Sequence, residues 1–439
     1  MSPEFIGLLM VAAMLFAIFI GFPIAFTLLF LGVVFGYWGF GPLVFYLLTL
    51  QFNATMMEQT LAAVPLFVFM GIMMEQANLM ERLFDSVQKL LAGLRGSLFL
   101  AVMFVATIFA AATGIVGASV TILGIMAGKP MIRSGYDVKL SSGLIAAGGT
   151  LGILIPPSIM LVVMGPVLEV PVTSLFAAAI LPGVLLATLF TLYAMVRCWM
   201  DPSLGPPLPQ ELRATSMQEV WKDLFLGLVP PAALVMSALG SIVFGLATPT
   251  EGAACGAFGA LVLTALYGRL TWRNFKEALI KTLEISVLIL FLVAASNFFG
   301  AVFARLGTPT MLTEALLQLD LNRYAILAIV MALIFLLGWP LEWVPIVLIV
   351  VPFLVPLIVK LGFDKTWFGI LVAVNLQTAW LSPPVALSAY FLKGVVPEWD
   401  LGDIYKGMLQ FMSLQLLGLT LVIAFPEIAL WLPRLLYGN

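Results

Sequence analysis

The chain has 439 residues, of which 62% are apolar or aromatic and 10% are charged, with no histidine and a formal net charge of −2. Soluble domains carry about half apolar and about a quarter charged residues. The composition therefore places the chain in a lipid bilayer and excludes a secreted module, a nucleic-acid binder and a soluble enzyme. At about 20 residues per helical crossing, the length allows roughly ten spans.

The first apolar run, over 5–20, lacks a basic leader and a small-residue cleavage site, so it is expected to remain as a membrane helix. Further runs long enough to cross lie at about 23–40, 55–81, 140–165, 174–199, 229–246, 250–267, 282–308, 367–392 and 405–432. Two others, at about 97–128 and 324–355, are interrupted near the middle, by Thr113-Gly114-Ile115-Val116-Gly117 and by Gly338-Trp339-Pro340 with Pro345. Each is read as a re-entrant hairpin, whose bare tip must be covered by protein or line a water-filled cavity. Cys198 and Cys255 lie far apart on apolar stretches, with no metal or redox spacing.

Ten crossings and two hairpins segregate the basic residues. Fifteen fall on one side: Arg82, Lys89, Arg95, Lys129, Arg133, Lys139, Arg197, Arg213, Lys222, Arg269, Arg273, Lys276, Lys281, Lys393 and Lys406. Five fall on the other: Arg305, Arg323, Lys360, Lys365 and Arg434. The positive-inside rule puts the larger group in the cytoplasm and both termini outside. The stretch at about 200–228, with Pro202, Pro206, Pro207 and Pro209 among mixed charges, reads as a cytoplasmic linker between halves 1–199 and 229–439.

A self-match supports two halves. Gly135-Tyr136-Asp137 precedes Pro156-Pro157 by the interval that separates Gly362-Phe363-Asp364 from Pro383-Pro384, an offset of 362 − 135 = 227 without a gap. The same offset carries the first hairpin onto the second, and carries the basic stretch 82–95 onto 309–322, whose charges are Glu314 and Asp320. Five crossings per half invert the second half, and inverted repeats are a mark of secondary transporters. The expected fold is therefore an all-α polytopic membrane protein: an inverted repeat of five crossings plus one re-entrant hairpin each.

The paired prolines must break the helices that contain them. Before the breaks stand Gly148-Gly149-Thr150-Leu151-Gly152 and Asn375-Leu376-Gln377-Thr378-Ala379. Unwound backbone there offers carbonyl oxygens to a monovalent cation such as sodium, and the half-helix N-termini beyond offer N–H groups to an anion. The sodium candidates, largely through backbone carbonyls, are Gly114, Gly117, Ser119, Thr150, Gly152, Gly338, Thr378 and Pro383. The substrate candidates are Thr113, Gly149, Ser158, Glu342 and Ser382. No Lys or Arg lies in the tips or breaks, so hydroxyls, amides and helix ends would hold an anion. Glu342 is the one carboxylate there, either a ligand or a tie for the hairpin turn. Glu251 reads as a helix cap. No catalytic residue and no organic cofactor is expected, since histidine, paired carboxylates and nucleophile–base spacings are absent.

At Gly135-Tyr136-Asp137, Gly152-Ile153-Leu154-Ile155-Pro156-Pro157-Ser158, Ala247-Thr248-Pro249-Thr250-Glu251-Gly252 and Leu381-Ser382-Pro383-Pro384, the chain resembles the large membrane subunit of tripartite ATP-independent periplasmic (TRAP) transporters. The likeness runs through nearly the whole length. It implies a sodium-driven importer of carboxylates in the bacterial inner membrane, working by an elevator mechanism. It also implies two separate partners, a small membrane subunit and a periplasmic substrate-binding protein. The family often has Ser-Gly-Ser at the first tip with an Asp four residues beyond, where this chain has Thr113-Gly114-Ile115 and Ser119, and a Ser pair where it has Gly148-Gly149. These departures favour a smaller or more apolar carboxylate, such as a 2-oxo acid, over a sugar acid. The competing reading is a stand-alone divalent-anion/sodium symporter acting as a homodimer; a membrane-embedded enzyme and a channel fit less well.

Overall fold

The computed structural model describes residues 2–208, 216–318, 321–383 and 386–438, apart from the side chains of 111–113 and 317. Among the described residues the regular structure is helical. The first half runs α1 (Pro3–Ile20), α2 (Ile24–Phe40), α3 (Leu43–Met57), a 3-10 turn (Gln59–Ala62), α4 (Ala63–Gln76), α5 (Leu79–Leu90), α6 (Ser97–Thr113), α7 (Val116–Arg133), α8 (Val138–Thr150), a second 3-10 turn (Leu151–Ile153), α9 (Ile159–Leu168) and α10 (Val172–Met200). The second half runs α11 (Met217–Val243), α12 (Pro249–Leu266), α13 (Trp272–Arg305), α14 (Thr308–Leu317), α15 (Arg323–Leu337), α16 (Trp343–Pro345), a π turn (Ile346–Val350), α17 (Val351–Lys360), α18 (Lys365–Leu376), a 3-10 turn (Gln377–Trp380), α19 (Leu387–Val395), α20 (Leu401–Ala424) and α21 (Glu427–Tyr437). Eight helical stretches among the described residues are long and apolar enough to cross a membrane.

An offset of 227 relates the two successions. It carries α7 from 116–133 onto 343–360, the span of α16 to α17, and carries the start of α8 at 138 onto the start of α18 at 365. It carries the 3-10 turn after α8 onto the one after α18, α9 onto α19, and α2 onto α12. The halves differ most where α3, its 3-10 turn and α4 correspond to the single 34-residue helix α13.

Helices α3, α5 and α14 add to the apolar runs read from hydropathy. In α5, Leu79, Met80, Leu83, Phe84 and Val87 share a buried face against α11, and Arg82 on its rim pairs with Asp223 at 2.6 Å. Such a one-sided helix lacks the continuous apolarity of a span but buries a stripe on its neighbours. That packing also lengthens α11, which starts at Met217 rather than near 229 because its polar first turns lie beside α5.

Two packing groups result. Helices α2, α3 and α4 pack on α13, and α12 packs on α4. Helices α6, α7, α10 and α20 pack on α8, and α18 packs on α10 and α20. The closest crossing in that second group is α8 with α20, where a Cβ on Gly407 would lie 2.0 Å from Lys139 O. Small residues permit backbone approach that larger ones forbid.

Candidate functional site

Both repeated motifs before the breaks have a conformational cause. Gly135 and Gly362 adopt φ of 72° and 73°, a left-handed conformation suited to glycine, and so end α7 and α17. Two residues on, Asp137 and Asp364 cap α8 and α18 by accepting hydrogen bonds from Leu140 N at 2.7 Å and Trp367 N at 2.8 Å. Glu251 likewise closes a capping box with Thr248 at the start of α12. The described residues of both paired-proline segments are not α-helical: α8 gives way to a 3-10 turn and α9 resumes at Ile159, while α18 gives way to a 3-10 turn and α19 starts at Leu387. Pro384 lies outside the described residues, and Pro383 is a half-buried turn residue.

Within the breaks the hydroxyls turn toward main-chain oxygens. Thr150 Oγ1 lies 2.8 Å from Ala147 O and 3.2 Å from the side-chain amide of Gln377. Thr378 donates to Asn375 O at 2.6 Å, Ser158 donates to Ile153 O at 2.5 Å, and Ser382 donates to Thr378 O. Ser119 donates to Ile115 O at 3.1 Å. Each hydroxyl oxygen keeps lone-pair capacity after giving up its proton. Thr113 closes α6 with its backbone, and its side chain is outside the described residues.

Glycines bring tips against breaks. A Cβ on Gly149 would stand 2.4 Å from a methyl of Val120 and 3.1 Å from its amide nitrogen, so α7 passes closely over the end of α8. A Cβ on Gly338 would stand 3.1 Å from the methyl of Ala379, seating the second tip on the second break. Gly152 is buried in the first 3-10 turn.

The two tips open into one cavity of about 580 Å³. Gly114, Gly117 and Glu342 of the predicted set line it, with Ile115, Val116, Trp343 and Val344. Ser158, Ser382, Thr150 and Thr378 are not among its lining residues. The facing wall comes from the other packing group: Gly71, Ile72 and Glu75 of α4, and Lys281, Ile285, Leu288, Ile289 and Leu292 of α13. Glu342 stands at the N-cap position of α16 without a side-chain capping hydrogen bond, its side chain accessible from the cavity. Sequence reading missed Lys281, which it counted as a loop cation although Lys281 lies nine residues into α13. It named Gln377 before the second break without making it a candidate, and missed Gln415 in α20; both are fully buried polar side chains, and polarity at such depth is itself a signal.

Residues 10–428 match the model of the family described as tripartite ATP-independent periplasmic transporter, DctM component. The chain is 30% identical over 390 residues to the C4-dicarboxylate TRAP transporter large permease protein DctM of Pseudomonas aeruginosa, covering 88% of this chain and 89% of that one. It is 31% identical over 431 residues to the sialic acid TRAP transporter large permease protein SiaM of Vibrio cholerae, covering 96% and 97%. Its fold resembles the crystal structure of the Alcanivorax borkumensis YdaH transporter, with a TM-score of 0.65 and 17% identity over 99% of this chain and 100% of that one.

Proposed function

The chain belongs to the DctM component family of tripartite ATP-independent periplasmic transporters, and from that premise we propose that it is the permease subunit of a sodium-coupled importer of a small carboxylate. It is a multi-pass protein of the bacterial inner membrane, and membership implies a tripartite system. The partners proposed for it are a small membrane subunit and a periplasmic substrate-binding protein.

The observation that carries the reading is the shared cavity. Both hairpin tips line it, and α4 and α13 close it on the facing side. Cargo held at the tips would cross if the group containing the tips and breaks slid along α4 and α13, as an elevator does. Glu75 and Lys281 lie near the ends of α4 and α13 that the positive-inside count assigns to the cytoplasm, so this cavity would be the exit. Repeat inversion about the membrane plane follows from the same count.

Sodium fits the donor chemistry. Among the described residues no cluster of three or more His, Cys, Asp or Glu side chains is placed to hold a metal. The oxygens in the breaks are hydroxyls and main-chain carbonyls, which suit a hard monovalent cation. The substrate proposed is a carboxylate, because relatives are named for C4-dicarboxylate and sialic acid, with Ile115 and the glycines at the tip favouring a small one.

The test is gentle co-purification followed by uptake in proteoliposomes. A small membrane protein bound one-to-one, and uptake that needs both sodium and the cognate binding protein, are expected. A clean homodimer transporting without a binding protein would establish the stand-alone symporter instead. Uptake that ignores sodium but follows a proton gradient would defeat the coupling.

A further inference from the structure

Of the described residues that line the cavity between the tips and the facing wall, three are ionisable: Glu75 of α4, Lys281 of α13 and Glu342 of the second tip. Lys281 is the one cation among them. Helical spacing sets its place. Lys281, Ile285, Leu288, Ile289 and Leu292 all line the cavity, and positions i, i+4, i+7, i+8 and i+11 share one face of a helix. Lys281 therefore heads an apolar stripe about 16 Å long, at 1.5 Å per residue. Glu75 stands half-buried on α4, which packs on α13, while Lys281 is exposed. Among the described residues Lys281 enters no ion pair and no hydrogen bond, so its three ammonium donors are unspent.

The rest of the lining restricts what an anion there can carry. Beyond the ionisable groups, the hydrogen-bonding side chains among the described lining residues are Thr121 and the indoles of Trp343 and Trp380. The Thr121 hydroxyl already donates to Gly117 O at 2.7 Å. A second carboxylate on the cargo would meet apolar side chains or the carboxylates of Glu75 and Glu342, and an unpaired charge is costly to desolvate. A sugar acid would leave most of its hydroxyls without partners, which is also costly. An apolar body suits Ile115, Trp343 and Phe391, in the usual pattern of a mostly apolar pocket with few, placed polar groups.

We propose that Lys281 receives the carboxylate of the cargo at the exit, and that the cargo is a monocarboxylate with an apolar body. Opposite charges attract the anion to the one cation of the cavity, and the apolar stripe beside it takes the uncharged remainder. Glu75, on the same wall, competes with the cargo for Lys281. The inference rests on the reading of this cavity as the exit for a carboxylate.

The chain would be purified in detergent with NaCl, any co-purifying membrane subunit left in place, and its thermal unfolding followed against two probes. One is 4-methyl-2-oxopentanoate, a branched monocarboxylate; the other is succinate, a dicarboxylate. The branched acid should reach half-maximal stabilisation at about tenfold lower concentration than succinate. Lys281→Met, which keeps the stem and removes the charge, should raise that concentration about tenfold, the scale of one charge-assisted contact. Lys281→Arg should recover most of the loss. Glu75→Gln should lower the concentration, an opposite sign that damage to the fold cannot produce. Lys276→Met, at an exposed lysine of α13 that does not line the cavity, is the control and should change nothing. An unchanged response in Lys281→Met overturns the role of Lys281 and leaves the carboxylate reading standing; if that variant does not fold, the sign of the Glu75→Gln effect decides instead. Equal or tighter stabilisation by succinate overturns the monocarboxylate. A wild-type chain that neither acid stabilises removes the carboxylate reading and the inference together.

Discussion

Asp137 and Asp364 perform the same task 227 positions apart: each accepts a hydrogen bond from the backbone three residues on, at 2.7 and 2.8 Å, and starts the helix that runs to a break. Replacing either with alanine removes an N-cap, which typically costs about 1 kcal/mol. Asp137→Ala and Asp364→Ala should each lower the melting temperature by a few degrees, and asparagine at either position should restore most of the loss. Equal melting temperatures for wild type and both alanine variants would show that the caps contribute nothing.

These two aspartates also show what the sequence could disclose. Gly-x-Asp at matched spacing marks a left-handed stop followed by a cap, and Pro-Pro marks a break, because both are local constraints on backbone. The hairpin tips were legible for the same reason. Lys281 was not, since a cation near the start of a long helix looks like a loop residue until α4 and the tips are folded beside it. Glu75 and Gln415 reach their neighbours only through packing between helices far apart in sequence. The extra helices α3, α5 and α14 were hidden because one-sided or short apolar segments fall below the signal of a spanning run.

Gly407 meets the backbone of α8 so closely that a Cβ would lie 2.0 Å from Lys139 O, while one on Gly143 would lie 2.5 Å from Gly407 O. Main chain cannot rotate away as a side chain can. Gly407→Ala should therefore force α8 and α20 apart at a cost of about 1–3 kcal/mol, the usual range for overpacking. Gly394→Ala, where a Cβ meets nothing within 4 Å, should be near neutral. Thermal unfolding of the two variants side by side checks the contrast.

Burial pushes the Asp85 carboxyl above the ordinary carboxylate range; Lys89 opposes the shift, and Glu81 and Asp223 add to it. A raised folded-state pKa favours the protonated form in the native chain. Its contribution is fully favourable below the unfolded pKa and is lost as pH rises through the folded one. Asp85→Asn, which keeps an oxygen for the Gln88 donor at 3.0 Å, should raise the melting temperature at pH 8. The gain should vanish below about pH 3.5, under the ordinary aspartate pKa. A gain independent of pH would assign the effect to something other than ionisation.

Gly300 of α13 lies against the second hairpin, where a Cβ would be 3.5 Å from Leu348 O. If that hairpin slides along α13 during transport, a covalent bridge between them must stop uptake. Gly300→Cys with Leu348→Cys, in a Cys255→Ser background that leaves only buried Cys198, should lose uptake on treatment with a short bifunctional thiol reagent. Each single variant should be unaffected. Full uptake by the cross-linked double variant would rule out sliding at this contact.

Glu342 separates a structural from a functional role most directly. Its side chain makes no capping hydrogen bond at α16, and it faces the cavity that holds both tips together with Glu75 and Lys281. A carboxylate that held the turn would be missed by the fold; one that faces cargo or ion would be missed by transport. Glu342→Gln keeps shape and hydrogen-bonding capacity while removing charge, so its stability should change by no more than about 0.5 kcal/mol. Uptake per folded molecule should fall about tenfold, equivalent to roughly 1.4 kcal/mol in the limiting step. Glu342→Asp, which returns the charge on a shorter stem, should recover part of the rate. Normal uptake with a melting temperature several degrees lower would reverse the assignment and make Glu342 a brace for the hairpin tip.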